Sequence, residues 1–345
     1  MSAYLLTPRF RLRLLPIIAS LTLVVAVAAG VERTQSIQLR TGWNAVYLEV
    51  QPANATSDDI FAQLPVDTVA SFFPGRLEGQ FLRQPGDAPW REEGWGVWYS
   101  PQLPESALST LREIPAPRAL LIRATADFTW NVSGEARASV LKWYADTCTF
   151  TGLPVDPESP PTFAQFFSSS SGHRRLRIFR LEQDTWKLVR QPTLARARSG
   201  EAYWIQTDGA SHYQGPLGLS LPASGELAFD RIGRGRPLRI VNEASSTEAH
   251  VQIAIVGGPN PVPLWQLSRD ATTLATVRQP VSETVHFPPL SAGDSTTWQV
   301  EPHRSAMTAD SSSALLRISD GRGTLHWVPL NVLRQPDSAM SLSRP

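Results

Sequence analysis

The side chains that carry most enzyme chemistry are thinly scattered in this sequence. Its six histidines are His173, His212, His250, His286, His303 and His326. They form no H-x-H or H-x-x-x-H pair and stand beside no carboxylate pair at metal-ligand spacing. His286 and His326 fall in strand-like runs, where a histidine reads as structural. No G-x-S-x-G turn is present to expose a nucleophilic serine. Gly233-x-Gly235 and Gly321-x-Gly323 are too short to cradle a phosphate, and neither opens a helix. Asp58, Asp59 and Asp67 lack the alternating acids and the glycine of a calcium loop. The single cysteine, Cys148, can form no internal disulfide. It sits in Thr147-Cys148-Thr149-Phe150, where a free thiol acts as a small apolar residue. These readings assign no catalytic residue, no metal site and no cofactor. A triad assembled across domains, making the chain a cryptic hydrolase, is the weakest functional reading.

Aromatic residues are the better candidates for a site. The chain has 11 tryptophans. Trp90, Trp95, Trp98 and Tyr99 crowd a short stretch around Gly94 and Gly96. Exposed indoles can stack on the apolar faces of sugars, so Trp90, Trp98 and Tyr99 form a candidate carbohydrate-binding surface. The opposing reading is that they are core, because tryptophan is highly buried on average. Trp90 sits in a loop-like insertion and is the aromatic that separates the two readings.

Composition sets the frame for these residues. Hydrophobic residues make up 42% of the chain and charged residues 18%, which suits packed cores and not a disordered polymer. At 345 residues, two or three domains are expected. Arg9, Arg11 and Arg13 precede an apolar run from Leu14 to Ala29, and Ala26-Val27-Ala28 supplies small residues for cleavage. That is the layout of a secretory signal peptide over residues 1–30. The run is shorter than the roughly 20 residues of a spanning helix. Loss of this acid-free segment takes the formal charge from +1 to −2, which gives no electrostatic footprint for nucleic acid. The expected location is the periplasm, cell surface or medium, with no membrane span after cleavage.

Internal repetition organises the chain beyond this segment. Leu111 to Ile122 lies without a gap on Leu194 to Ile205. Trp95 matches Trp186, Trp130 matches Tyr213, and Phe61-Ala62-Gln63 matches Phe163-Ala164-Gln165. The expected fold is mostly β. Two related β-rich repeats, 31–140 and 141–223, each carry one short helix. An Ig-like β-sandwich over 224–335 and a frayed tail over 336–345 complete the chain. The sandwich is expected from short strand-like runs separated by turns, with Asp320-Gly321 marking a hairpin. Pro222-Ala223-Ser224-Gly225 marks the boundary before it.

Gly42-Trp43-Asn44-Ala45-Val46-Tyr47-Leu48-Glu49-Val50 resembles the GWN-type strand repeat of secreted bacterial proteins of unknown function. Gly200-Glu201-Ala202-Tyr203-Trp204-Ile205 is similar to the element that closes such repeats. Leu227-Ala228-Phe229 through Asn242 resembles the start of Ig-like domains of the abnormal-spindle and hydin type, with Asp230 in place of the usual glycine. These resemblances imply an exported surface-type module and a structural or adhesive one. They carry over no site residue. With the signal segment, the repeat and the absent chemistry, the expected protein is a non-catalytic exported envelope or cell-surface protein whose partner is a protein or glycan of the envelope.

Overall fold

The computed structural model describes residues 31–334, apart from Ala55, residues 75–82, Ala223, Arg234 and Pro259. The expected signal segment over residues 1–30 and the expected tail over 336–345 lie outside the described residues. The chain is mostly β, as its alternating runs imply. Among the described residues no helix is long and apolar enough to cross a membrane.

The first module comprises β1 (Glu32–Leu39), β2 (Gly42–Leu48), β3 (Val50–Pro52), α1 (Ser57–Phe61), β4 (Val66–Phe72), β5 (Trp95–Tyr99), β6 (Arg118–Ala124) and β7 (Phe128–Ala136). One sheet has the order β1-β7-β3 and the other β2-β6-β4-β5. The pleat of β1 turns Gln35, Ile37 and Leu39 inward and Ser36 and Gln38 to solvent. Buried Gln35 completes the join to β2: its amide donates to Tyr47 O at 2.9 Å and its carbonyl accepts from Glu49 N at 2.9 Å. Between the sheets lies an apolar core that includes Ile37, Val46, Leu48, Phe61, Trp98, Leu120 and Trp130.

The second module contains β8 (Cys148–Thr151), α2 (Phe163–Phe166), β9 (Ile178–Glu182), β10 (Thr185–Leu188) and β11 (Tyr203–Gln206). Its sheet order, β8-β11-β9-β10, reproduces β2-β6-β4-β5 strand for strand. Leu121 pairs with Ala70 and Ala45. Trp204, which the sequence match sets on Leu121, pairs with Phe179 and Phe150. The helices correspond through their caps. Thr56 Oγ1 accepts from Asp59 N, and Thr162 Oγ1 accepts from Gln165 N, both at 3.2 Å. The next residues, Ser57 and Phe163, donate to Arg112 O and Ala195 O. This pairing corrects the sequence match by one helical turn: Phe61 stands where Phe167 does, not Phe163. The shared Phe-Ala-Gln occupies different turns in the two modules.

The third module comprises β12 (Leu217–Ser220), β13 (Leu227–Phe229), β14 (Arg236–Asn242), β15 (Gln252–Val256), β16 (Leu264–Arg269), β17 (Thr276–Pro280), β18 (Thr284–His286), β19 (Ser295–Pro302), β20 (Ser311–Ser319) and β21 (Leu325–Leu333). They form two five-stranded sheets, β12-β14-β19-β16-β17 and β13-β21-β20-β15-β18. Leu238, Ile240, Trp298 and Val300 from one sheet meet Ile253, Leu316, Ile318 and Val328 from the other in a single core. β12, which precedes the expected boundary at residues 222–225, pairs with β14 from Leu217↔Asn242 to Ser220↔Arg239.

Candidate functional site

The pleat of β5 decides the fate of the aromatic candidates. Successive strand residues face opposite sides. Trp95, Val97 and Tyr99 therefore look out of the first module, while Trp98 points into it. Trp98 is 2% exposed, packs 5.5 Å from Phe61, and donates its indole N–H to Asp58 Oδ1 at 2.7 Å. It offers no face to a ligand. Trp90 sits on a 3₁₀ turn, Pro89–Arg91, and is half-buried. Its N–H donates to Tyr99 Oη at 3.0 Å, and its ring lies 4.7 Å from Trp43. The structure thus brings Trp90 and Tyr99 together and sends Trp98 to a different core.

The surface that Trp95 presents is covered by the second module. The β2-β6-β4-β5 and β8-β11-β9-β10 sheets pack face to face through an aromatic layer. Trp204 is at its centre, stacked on Phe150 at 4.9 Å and meeting Trp95 edge-on at 6.3 Å. Phe72 and Trp186 close around it at 5.7 and 6.5 Å. Offset and edge-on ring pairs of this kind add roughly 0.5–1.5 kcal/mol each beyond area burial. Backbone bonds stitch the layer's edge: Tyr47 N donates to Gly200 O at 2.8 Å and Ala202 N to Ala45 O at 3.1 Å.

The Gly-Trp-Asn motif acquires a physical reason at this junction. Asn44 folds the β1–β2 turn by accepting from Arg40 N at 3.0 Å and donating to Arg40 O at 2.7 Å. Trp43 N donates to the carboxylate of Asp184 at 2.5 Å. Gly42 has φ +98°, and a Cβ there would stand 2.7 Å from Asp184 Oδ1. Only glycine combines that backbone with that close approach. Asp184 was not among the residues that sequence reasoning singled out. Gln183-Asp184, both at positive φ, form the two-residue turn between β9 and β10, and such a turn between strand-like runs was the available signal.

Polar groups with catalytic potential are tied into structure elsewhere. His173 Nδ1 lies 2.6 Å from Ser170 Oγ and its Nε2 lies 3.1 Å from Thr207 Oγ1. Both Ser170 and His173 are buried, and aromatic rings flank the imidazole, Trp143 at 4.3 Å and Phe167 at 4.7 Å. Burial lowers the His173 pKa to about 4, so the ring is neutral at pH 7. A threonine stands where a triad would place a carboxylate. Glu201 pairs with Arg180 at 3.2 Å and accepts from Tyr203 Oη at 2.8 Å. Burial pushes the Glu201 carboxyl up against Arg180's opposing pull. Burial likewise raises the Cys148 thiol, the reverse of an activated nucleophile. Among the described residues no three His, Cys, Asp or Glu side chains cluster as a metal site.

No family model and no curated protein matches this chain.

Proposed function

We propose that this chain is a non-catalytic exported protein of the envelope or cell surface, working through protein or matrix contacts. The observation that carries the reading is the joining of three modules by backbone pairing, in which reactive side chains serve packing. Asp156 N donates to Gly323 O at 2.8 Å and Leu325 N to Pro154 O at 3.2 Å, so the second module pairs with the sandwich as a strand would. Arg317 reaches Asp156 at 3.1 Å across the same seam. A set of β modules joined through their main chains suits a scaffold that presents surfaces. The acid-free N-terminal segment, with its arginines, apolar run and Ala26-Val27-Ala28, supports export.

The first two modules are read as related GWN-type repeats. Their common strand order and matching caps support this. The third is read as Ig-like, supported by its paired sheets and by β13, which runs parallel to β21 at the edge of one sheet. The test of export is mass spectrometry of the mature N-terminus with cell fractionation. Cleavage near residues 28–30 and protein outside the cytoplasm are expected; an intact Met1 on a cytoplasmic protein would refute the reading.

A further inference from the structure

A groove of about 510 Å³ runs between α2 and the sandwich loop that joins β14 to β15. This is within the roughly 300–1,000 Å³ range of small-molecule sites, and module junctions commonly host them. Its lining defines what it can hold. Ser168 and Thr193 face it from the second module, and Ser245, Ser246 and Thr247 face it from the sandwich. None of these five hydroxyls has a hydrogen-bond partner among the described residues. Gln165 uses its carbonyl to accept from Thr162 N at 2.8 Å, which leaves its amide N–H groups for the groove. Arg322 is the one charged residue in the lining, and no carboxylate accompanies it. Its guanidinium is held by the Glu248 carbonyl at 3.0 Å and keeps donors to offer.

The chemistry excludes several occupants. A metal cation needs carboxylate, imidazole or thiolate ligands, and no Asp, Glu, His or Cys lines the groove. A polyphosphate or nucleic acid needs several cations, and there is one. A peptide anchored by large apolar side chains needs pockets for them, yet the apolar lining is Pro161, Ala164, Pro216 and Ala244. A row of neutral donor–acceptor hydroxyls matches the hydroxyls of a sugar chain, and a lone arginine matches a single carboxylate. We propose that this groove binds an acidic oligosaccharide, with Arg322 meeting a uronate carboxylate and the serine and threonine hydroxyls meeting ring hydroxyls. This deepens the matrix-contact reading and rests on it, but purified protein tests it, so its failure is separate from a failure of export.

The experiment is isothermal titration of the purified chain with trigalacturonate and with its fully methyl-esterified form, which masks the carboxylates. The acid is expected to bind at least tenfold more tightly than the ester. Arg322→Ala should erase that difference, and Thr193→Trp, at an exposed position, should block both ligands without moving Tm. Trp90→Ala should leave binding unchanged. Absence of binding by either trimer overturns the proposal, as does binding that Thr193→Trp does not affect or that Trp90→Ala abolishes. Equal affinity for acid and ester overturns the role of Arg322 and with it the assigned ligand class.

Discussion

The first and second modules share a four-stranded sheet and a threonine-capped helix, but they close their cores differently. The first supplies its own second sheet, β1-β7-β3, over Phe61 and Trp130. The second covers Ile178, Tyr203 and Ile205 of its sheet with Phe163 and Phe166 of α2 and with irregular segments. Its Val155, which corresponds in sequence to Val50 of β3, pairs with Thr324 of the sandwich. Its final stretch becomes β12, a strand of the neighbouring sheet. Sheets of the same strand order are therefore completed in one module from within and in the other from a neighbour.

The largest effect on this comparison is expected at the aromatic layer. Trp204→Ala should cost about 3–5 kcal/mol, the usual range for a buried tryptophan. Denaturant unfolding would measure it, and a cost below about 1 kcal/mol would mean that the two sheets do not depend on each other. At the seam with the sandwich, Gly323 has φ +104°, and a Cβ would stand 2.5 Å from Ser159 O. Gly323→Ala combines backbone strain with a clash against main chain, for an expected loss of about 1–3 kcal/mol. The same change at Gly86, where a Cβ would meet nothing within 4 Å beyond its chain neighbours, should be near neutral.

His173 sharpens the comparison by pH, because its cage belongs to the second module alone. The folded state keeps it neutral down to about pH 4, while the unfolded chain takes up a proton below about 6.5. The unfolded state binds more protons in that window, so stability falls as pH drops through it. His173→Phe should flatten this slope, read from melting temperatures between pH 7 and 4. An unchanged slope would mean that His173 is not the group responsible. A smaller effect than at Trp204 or Gly323 is expected at Asp184. Asp184→Ala removes the acceptor from Trp43 N and should cost about 0.5–1.5 kcal/mol, the net worth of one hydrogen bond. Asp184→Asn should recover part of it.

Period and chemistry decided which parts of the fold were legible in the sequence. Strand-like content between turn signals made residues 37–40, 238–241 and 314–318 legible as strands. The Trp95–Trp186 and Leu121–Trp204 matches were legible because the two modules bury equivalent positions. β16 and β17 are not legible, because Leu264–Arg269 is half exposed, Thr276–Pro280 is almost wholly exposed, and each ends in polar residues or proline, which hides the strand period. The burial of Trp98 was within reach of the pleat rule once β5 was set, since Trp95 and Trp98 must face opposite ways. That Trp95 would meet another module was not legible, because an aromatic face against a partner sheet has the same composition as one against a ligand. The groove was hidden for a different reason. Its hydroxyls come from two modules and from segments far apart in a chain where serine and threonine are common.

The dependence of the second module on its neighbour can be measured directly by hydrogen exchange on a chain ending at Gln214, compared with the full chain. Protection should persist in β2, β4 and β6 and collapse in β8, β9 and β11. Equal protection in both sets of strands, without the sandwich present, would contradict the account.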